Sequence, residues 1–222
     1  MSLGATMSQQ VTFPSNGLTL EGVVHRPAGA SLYPAVVVCH PHPLYGGDMG
    51  SSVVVAICEG LGAEGIGALR FNFRGVGGSE GSFGGGSEER GDVRAALDYL
   101  EGEPGVDGGR IGLAGYSFGA LVALAAVDER VRGLAAVSPP LAMQDFSGRE
   151  VRCPSLFVFG GEDAVAPAER LREISPALLG EQRAVVVPGA DHFWWGQEEV
   201  LVKEVVAFFR GLMALGKGQG AD

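Results

Sequence analysis

Residues 110–127 read RIGLAGYSFGALVALAAV, and this stretch decides the fold. Arg110–Ala114 is a short apolar run of the kind buried on both faces of a parallel sheet. Phe118–Val127 is small, apolar and helix-like. Between them, Gly115-Tyr116-Ser117-Phe118-Gly119 forms a G-x-S-x-G turn. A strand that turns this sharply into a helix leaves no room for side chains, so glycine stands two residues before and two after the serine. The turn lifts the Ser117 hydroxyl above the sheet and aims the first N–H groups of the helix at negative charge developing beside it. In a chain with 37 glycines the same pentapeptide also serves as a plain turn. Its reading therefore depends on partners elsewhere in the sequence.

Working outward, short apolar runs alternate with helical patterns. Val11–Pro14 and Leu20–Pro27 read as an antiparallel pair joined at Ser15-Asn16-Gly17. Ala35–Cys39, Ala68–Phe73, Leu134–Ser138, Ser155–Gly160 and Ala184–Pro188 read as buried strands. The intervening helices are Ser51–Gly60, starting near Asp48, then Glu88–Leu100 and Glu198–Leu212. In Glu88–Leu100 the apolar face is Val93, Ala96, Leu97 and Leu100; in Glu198–Leu212 it is Leu201, Val205, Phe208 and Leu212. This alternation predicts an α/β fold in three layers: a mostly parallel central sheet of about eight strands with helices on both faces. One domain spans residues 7–215. Residues 1–6 read as a leader left by expression cloning, with Met7 as the natural start, and 216–222 as a frayed tail. Gly75–Ser87 reads as a mobile loop that walls the active site.

The balance of 16 Lys and Arg against 26 Asp and Glu gives a net charge of −10, and no basic stripe stands out, which speaks against a nucleic-acid partner. No apolar run approaches the length of a membrane span. Cys39, Cys58 and Cys153 form neither a CxxC pair nor a ligand set and read as free thiols, which suits a cytoplasmic setting.

A serine hydroxyl is a poor nucleophile without a general base, and the base needs a carboxylate to orient it. Ser155–Gly160 runs into Gly161-Glu162-Asp163, which puts Asp163 just past a strand. Ala184–Pro188 runs into Gly189-Ala190-Asp191-His192, and His192 is the only histidine after Ser117. The order Ser, Asp, His then matches an acyl-transfer triad, each member on a loop at the sheet edge where α/β sites form. Read singly, Asp163 is a turn residue and His192 a structural histidine, with Glu162 or Asp145 as other candidates for the acid. The conjunction of types, order and placement favours Ser117, Asp163 and His192.

Cys39-His40-Pro41-His42-Pro43-Leu44-Tyr45-Gly46-Gly47 follows the Ala35–Cys39 strand. This loop should supply a second oxyanion donor beside the Phe118 N–H. Pro41 and Pro43 have no N–H, which leaves His42, the favoured residue, and Leu44. His40 and His42 alone are a weak zinc signal, so no metal is expected, and no cofactor. Gly75-Val76-Gly77-Gly78-Ser79 lacks the Lys-Ser/Thr ending of a phosphate loop. Phe118, Phe193, Trp194 and Trp195 are bulky neighbours of triad members and candidates for a pocket.

On HPHPLYGGDM (40–49), NFRGVGGSEG (72–81), GYSFGA (115–120), GGEDAVAP (160–167) and GADHFWWG (189–196), the chain resembles the α/β-hydrolase superfamily from about Val11 to Leu212. It is similar to a compact, lidless bacterial branch of predicted serine hydrolases. The resemblance implies acyl hydrolysis with Ser117, His192 and Asp163 in triad roles. It also implies oxyanion donors at the Phe118 N–H and in the His40–Leu44 loop. His40-Pro41 stands where many relatives carry His-Gly, a departure that bears on the second donor. Only Pro139–Cys153 lies where lidded relatives insert a cap, so the site should be open. Its expected lining is Leu44, Tyr45, Leu141, Met143, Val165, Phe193 and Trp194. The expected substrate is a small-molecule ester with a small or medium acyl group. Thioesterase, dienelactone hydrolase-like and peptidase activities use the same triad, and a non-catalytic binding protein is the reading from another class.

Overall fold

The computed structural model describes residues 6–214 apart from Asp145 and residues 147–149. Residues 1–5 and 215–222 and the alternative acid Asp145 lie outside the described residues, and with them most of the expected leader (1–6) and all of the expected tail (216–222). Eight strands form one sheet: β1 Thr6–Ser15, β2 Leu18–Pro27, β3 Tyr33–Cys39, β4 Gly67–Phe71, β5 Val106–Tyr116, β6 Val131–Val137, β7 Ser155–Gly160 and β8 Gln182–Val187. Their spatial order is β1-β2-β4-β3-β5-β6-β7-β8. β1–β2 and β2–β4 pair antiparallel, and every later pair is parallel.

The continuous apolar runs follow from this arrangement, except Ala184–Pro188: β8 is the edge strand and, contrary to its reading as a buried strand, only Val187 in it is buried. Along β3 the side chains alternate between two cores: Ala35, Val37 and Cys39 face one, Val36 and Val38 the other. Helices α1 (Ser52–Ala63) and α5 (Glu198–Ala214) cover the Val36/Val38 face; α2 (Glu89–Glu101), α3 (Phe118–Ala126) and the one-turn α4 (Leu171–Ile174) lie on the opposite one. Both faces must be apolar, so the period-2 pattern disappears from the sequence.

The boundaries differ from the sequence reading where local apolarity is a poor guide. β1 is ten residues long and starts at Thr6, one residue ahead of the expected domain start, because ladder pairing with β2 carries polar residues as well as Val11–Pro14. The hairpin turns at Asn16 and Gly17, both with positive φ, which suits the right-handed strand twist. The buried residues of α5 are Leu201, Val205, Val206, Phe209 and Met213, so Phe209 and Met213 take the places expected of Phe208 and Leu212, which are only half-buried. Cys39 and Cys58 are buried free thiols. No helix among the described residues is long and apolar enough to cross a membrane.

Candidate active site

Four strands of the parallel region end on one edge: β3 before His40, β5 at Tyr116, β7 before Asp163 and β8 before His192. The β5–α3 turn is tight enough to select its residues. A Cβ on Gly115 would collide with the Gly119 carbonyl, and one on Gly119 would meet the Cys39 and His40 carbonyl oxygens at 2.5 Å. The two glycines therefore let α3 start against the β3 loop. Ser117 sits between them at φ 55°, ψ −120°, a backbone conformation that costs on the order of 1–3 kcal/mol for a non-glycine residue.

The three residues picked from the sequence meet in space. Ser117 Oγ lies 2.9 Å from His192 Nε2, and His192 Nδ1 lies 2.9 and 3.0 Å from the two oxygens of Asp163. The Asp163 side chain is fully buried and also accepts from the Val165 and Ala166 N–H groups at 3.0 and 2.8 Å. Burial alone would raise its pKa. The hydrogen bonds from His192, the Ala166 N–H and Ser138 outweigh burial and hold the carboxyl below the usual aspartate range. An ionised Asp163 fixes Nδ1 of His192 as the donor and leaves Nε2 to accept the Ser117 proton.

Sequence reasoning missed what holds this pair in place. Ser138, at the end of β6, is buried with φ 44°, and the Trp194 indole donates to its Oγ at 3.0 Å. Ser138 in turn hydrogen-bonds Asp163. Asp191 accepts from the Phe193 and Trp194 N–H groups through one oxygen, and the Tyr116 hydroxyl donates to the His192 carbonyl at 2.7 Å. Burial pushes the Tyr116 phenol up, so it remains a donor. The signal available for Ser138 was its place as the last residue of a strand run, beside the edge where the site forms.

The β3 loop is organised by its two histidines, whose rings face different partners. His40 is buried; its Nε2 accepts from the Phe73 N–H at 3.0 Å, so Nδ1 donates to the Pro41 carbonyl at 2.7 Å. The His42 Nδ1 accepts from the Leu44 N–H at 3.2 Å and caps the short 3-10 turn Pro43–Tyr45. That bond occupies the Leu44 donor. Among the described hydrogen bonds, the His42 and Phe118 N–H groups have no partner. Burial lowers the His42 pKa against the pull of Glu89, which suits a ring that accepts. Glu89, itself buried, accepts from the Gly84 and Gly86 N–H groups at 2.6 and 2.7 Å, so the loop expected to be mobile is tied to α2.

Ser117 and His192 open into a cleft of about 670 Å³. Of the residues named from the sequence, Tyr45, Met143, Val165 and Phe193 line this cleft. Three other expected lining residues do not. Trp194 is 0% exposed: its positive φ of 62° turns the indole into the core and presents Trp195 to the cleft instead. Leu141 is buried against the α2–α3 face, and Leu44 projects to solvent outside the lining. The lining also includes Phe83, Gly85, Gly86 and Leu121, and among the described residues it holds no Asp, Glu, Lys or Arg. No group of three His, Cys, Asp or Glu residues suited to a metal ion occurs among the described residues.

Residues 16–184 match the family of X-Pro dipeptidyl-peptidases (S15), a stretch that includes Ser117 and Asp163 and ends before His192. An uncharacterised protein of Rickettsia prowazekii (strain Madrid E) is 35% identical over 184 residues, covering 78% of this chain and 76% of that one. Among solved structures, an α/β serine hydrolase homologue from Coxiella burnetii is 33% identical with a TM-score of 0.81, over 90% of this chain and 96% of that one. A Xanthomonas campestris protein described as an α/β serine hydrolase without a lid is 29% identical with a TM-score of 0.83, over 96% and 98%. With sequence family, sheet order and site edge in agreement, the chain belongs to the S15 family of the α/β-hydrolase superfamily and carries a lidless serine-hydrolase fold.

Proposed function

We propose that the protein is a carboxylic ester hydrolase that cleaves uncharged esters of small or medium acyl groups through an acyl-enzyme on Ser117. The carrying observation is the continuous hydrogen-bonded row from Ser117 Oγ through the His192 ring to Asp163. His192 Nε2 takes the Ser117 proton as Oγ attacks the ester carbonyl, and Asp163 stabilises the imidazolium that results. The Phe118 and His42 N–H groups receive the oxyanion. His192 then protonates the alkoxide as it leaves, and a water activated by His192 releases the acid. The residues named act in one compartment, for which the free thiols favour the cytoplasm.

The family match favours a second reading, cleavage of X-Pro dipeptides from peptide N-termini. Such a site must hold a free ammonium group, and a carboxylate-bearing lactone would need a cation. The lining, which among the described residues holds no charged side chain, supports neither and supports a neutral ester. A fluorophosphonate probe should label the wild type and fail to label Ser117→Ala. A p-nitrophenyl ester series should then give its highest kcat/KM on short and medium acyl chains. Faster turnover of an X-Pro-anilide than of any ester would overturn the reading, as would absence of labelling.

A further inference from the structure

The cleft has two unlike sides, and the chemistry assigns one to each half of an ester. His192 must protonate the departing alcohol, so that oxygen comes within hydrogen-bond reach of Nε2. Whatever the oxygen carries then falls beside the neighbours of His192 on its own loop. Those neighbours are Phe193 and Trp195, stacked with ring centroids 5.4 Å apart and 25° between planes, and Phe193 meets the His192 ring at 5.8 Å. Both rings are wide open, 55% and 76% exposed, and both line the cleft. The other side, around the proposed oxyanion donors, is closed: Phe118 is buried and in ring contact with both His42 and Phe83.

The stack is also rigidly presented. Trp194, between its two members, is locked into the core by its indole bond to Ser138, and Asp191 holds the Phe193 and Trp194 N–H groups. Two large aromatic faces fixed in water beside the proton donor are a costly arrangement unless a planar group covers them.

Resting on the esterase reading above, we infer that the Phe193–Trp195 stack is a leaving-group platform, and that the preferred substrates are esters of aryl-bearing alcohols. A ring one carbon from the ester oxygen, as in a benzyl ester, reaches the stack while the acyl group lies on the Phe118 side. No new bond chemistry is involved. Oγ forms the acyl bond, the C–O bond to the aryl alcohol breaks, and the proton taken from Ser117 leaves with that alcohol.

Because the alcohol departs before water attacks, the platform acts on acylation alone. The test compares benzyl, cyclohexylmethyl and ethyl butyrate, all of which pass through one butyryl-enzyme. The wild type should prefer benzyl over cyclohexylmethyl by roughly three- to tenfold in kcat/KM, the range expected for ring-on-ring contact beyond shared apolar area. Trp195→Ala should abolish that preference. In Trp195→Ala, kcat/KM for benzyl butyrate should fall further than kcat/KM for ethyl butyrate, while the butyryl-enzyme, which the departed alcohol no longer touches, should be released at one rate whichever ester formed it. Equal rates on benzyl and cyclohexylmethyl esters, with ethyl butyrate still hydrolysed, would overturn the platform and leave the esterase reading standing. A Trp195→Ala loss that extends to deacylation would overturn it too, by placing the ring on the acyl side. Failure on all three esters would overturn both.

Discussion

His40 and His192 follow parallel strands on the same edge of the sheet, and each has both ring nitrogens engaged, yet their partners differ in kind. The partners of His40 are main-chain groups, the Phe73 N–H and the Pro41 carbonyl, and its ring is sealed from water. The partners of His192 are side chains, Ser117 Oγ and the Asp163 carboxylate, and its ring reaches the cleft. Main-chain partners cannot change protonation, so they only fix geometry. A hydroxyl and a carboxylate can trade or stabilise a proton. The character of the partner, more than the histidine, separates a strut from the base proposed above.

The comparison breaks most sharply at His192. Replacing it with Asn keeps a donor for the buried Asp163 oxygens and removes the group that accepts from Ser117. His192→Asn should lower kcat/KM on the best ester by about 10³-fold or more, with an unfolding midpoint close to the wild type's. A loss under tenfold would mean that His192 is no more a base than His40 is. The mirror experiment is His40→Ala. It orphans a buried N–H and a buried carbonyl and leaves a cavity, so stability should fall by about 3 kcal/mol in urea melts. The folded fraction should still react with the fluorophosphonate, because neither ring nitrogen of His40 faces Ser117.

Much of the fold and the three residues proposed as a triad were legible because they depend on residue type, order and strand ends. Asp163 and His192 each follow a continuous apolar run, and a run of that kind marks a strand on its own. The supports were not legible because backbone conformation places them. Among the described residues four non-glycines have positive φ: Asn16, which turns the first hairpin, and Ser117, Ser138 and Trp194, which converge on the site. Nothing in Phe193-Trp194-Trp195 says which tryptophan turns inward; the left-handed conformation of Trp194 decides it. Likewise the sequence favoured His42 over Leu44 as the second oxyanion donor without a physical ground for the choice; the bond from the Leu44 N–H to the His42 ring supplies one.

The acid range sharpens the contrast between strut and base. Burial lowers the His40 pKa from its ordinary 6.5 to about 4, against the opposing effects of its Pro41 hydrogen bond and Asp48. Between those values the unfolded chain binds a proton that the folded chain refuses. Stability is therefore full above about pH 6.5 and is lost as pH falls toward 4. By pH 5 the loss from His40 should be about 2 kcal/mol. His25, lowered to about 4 by burial and by Arg70, adds in the same direction. Urea midpoints at pH 7.5 and 5.0 measure the sum, and His40→Ala should flatten the slope; an unchanged slope would show that the His40 ring is not held neutral.

The smallest effect probes the layer beneath the base. Ser138 Oγ receives the Trp194 indole proton and gives its own to Asp163, so it ties the acid to the loop that carries His192. Ser138→Ala removes one of the donors that hold Asp163 ionised and leaves the indole N–H buried without a partner. The expected loss is about five- to tenfold in kcat/KM, the scale of one hydrogen bond to a charged group. Trp194→Phe keeps the Ser138 bond to Asp163 but frees the hydroxyl from its anchor, and should cost less. If the two residues act through one another, the double variant will be no worse than Ser138→Ala alone. Multiplying losses would instead mean that Trp194 only fills the core. Active-site titration separates a positioning role from loss of fold: Ser138→Ala should keep its full complement of fluorophosphonate-reactive Ser117 and lose rate in kcat, whereas loss of fold would lower the number of reactive sites.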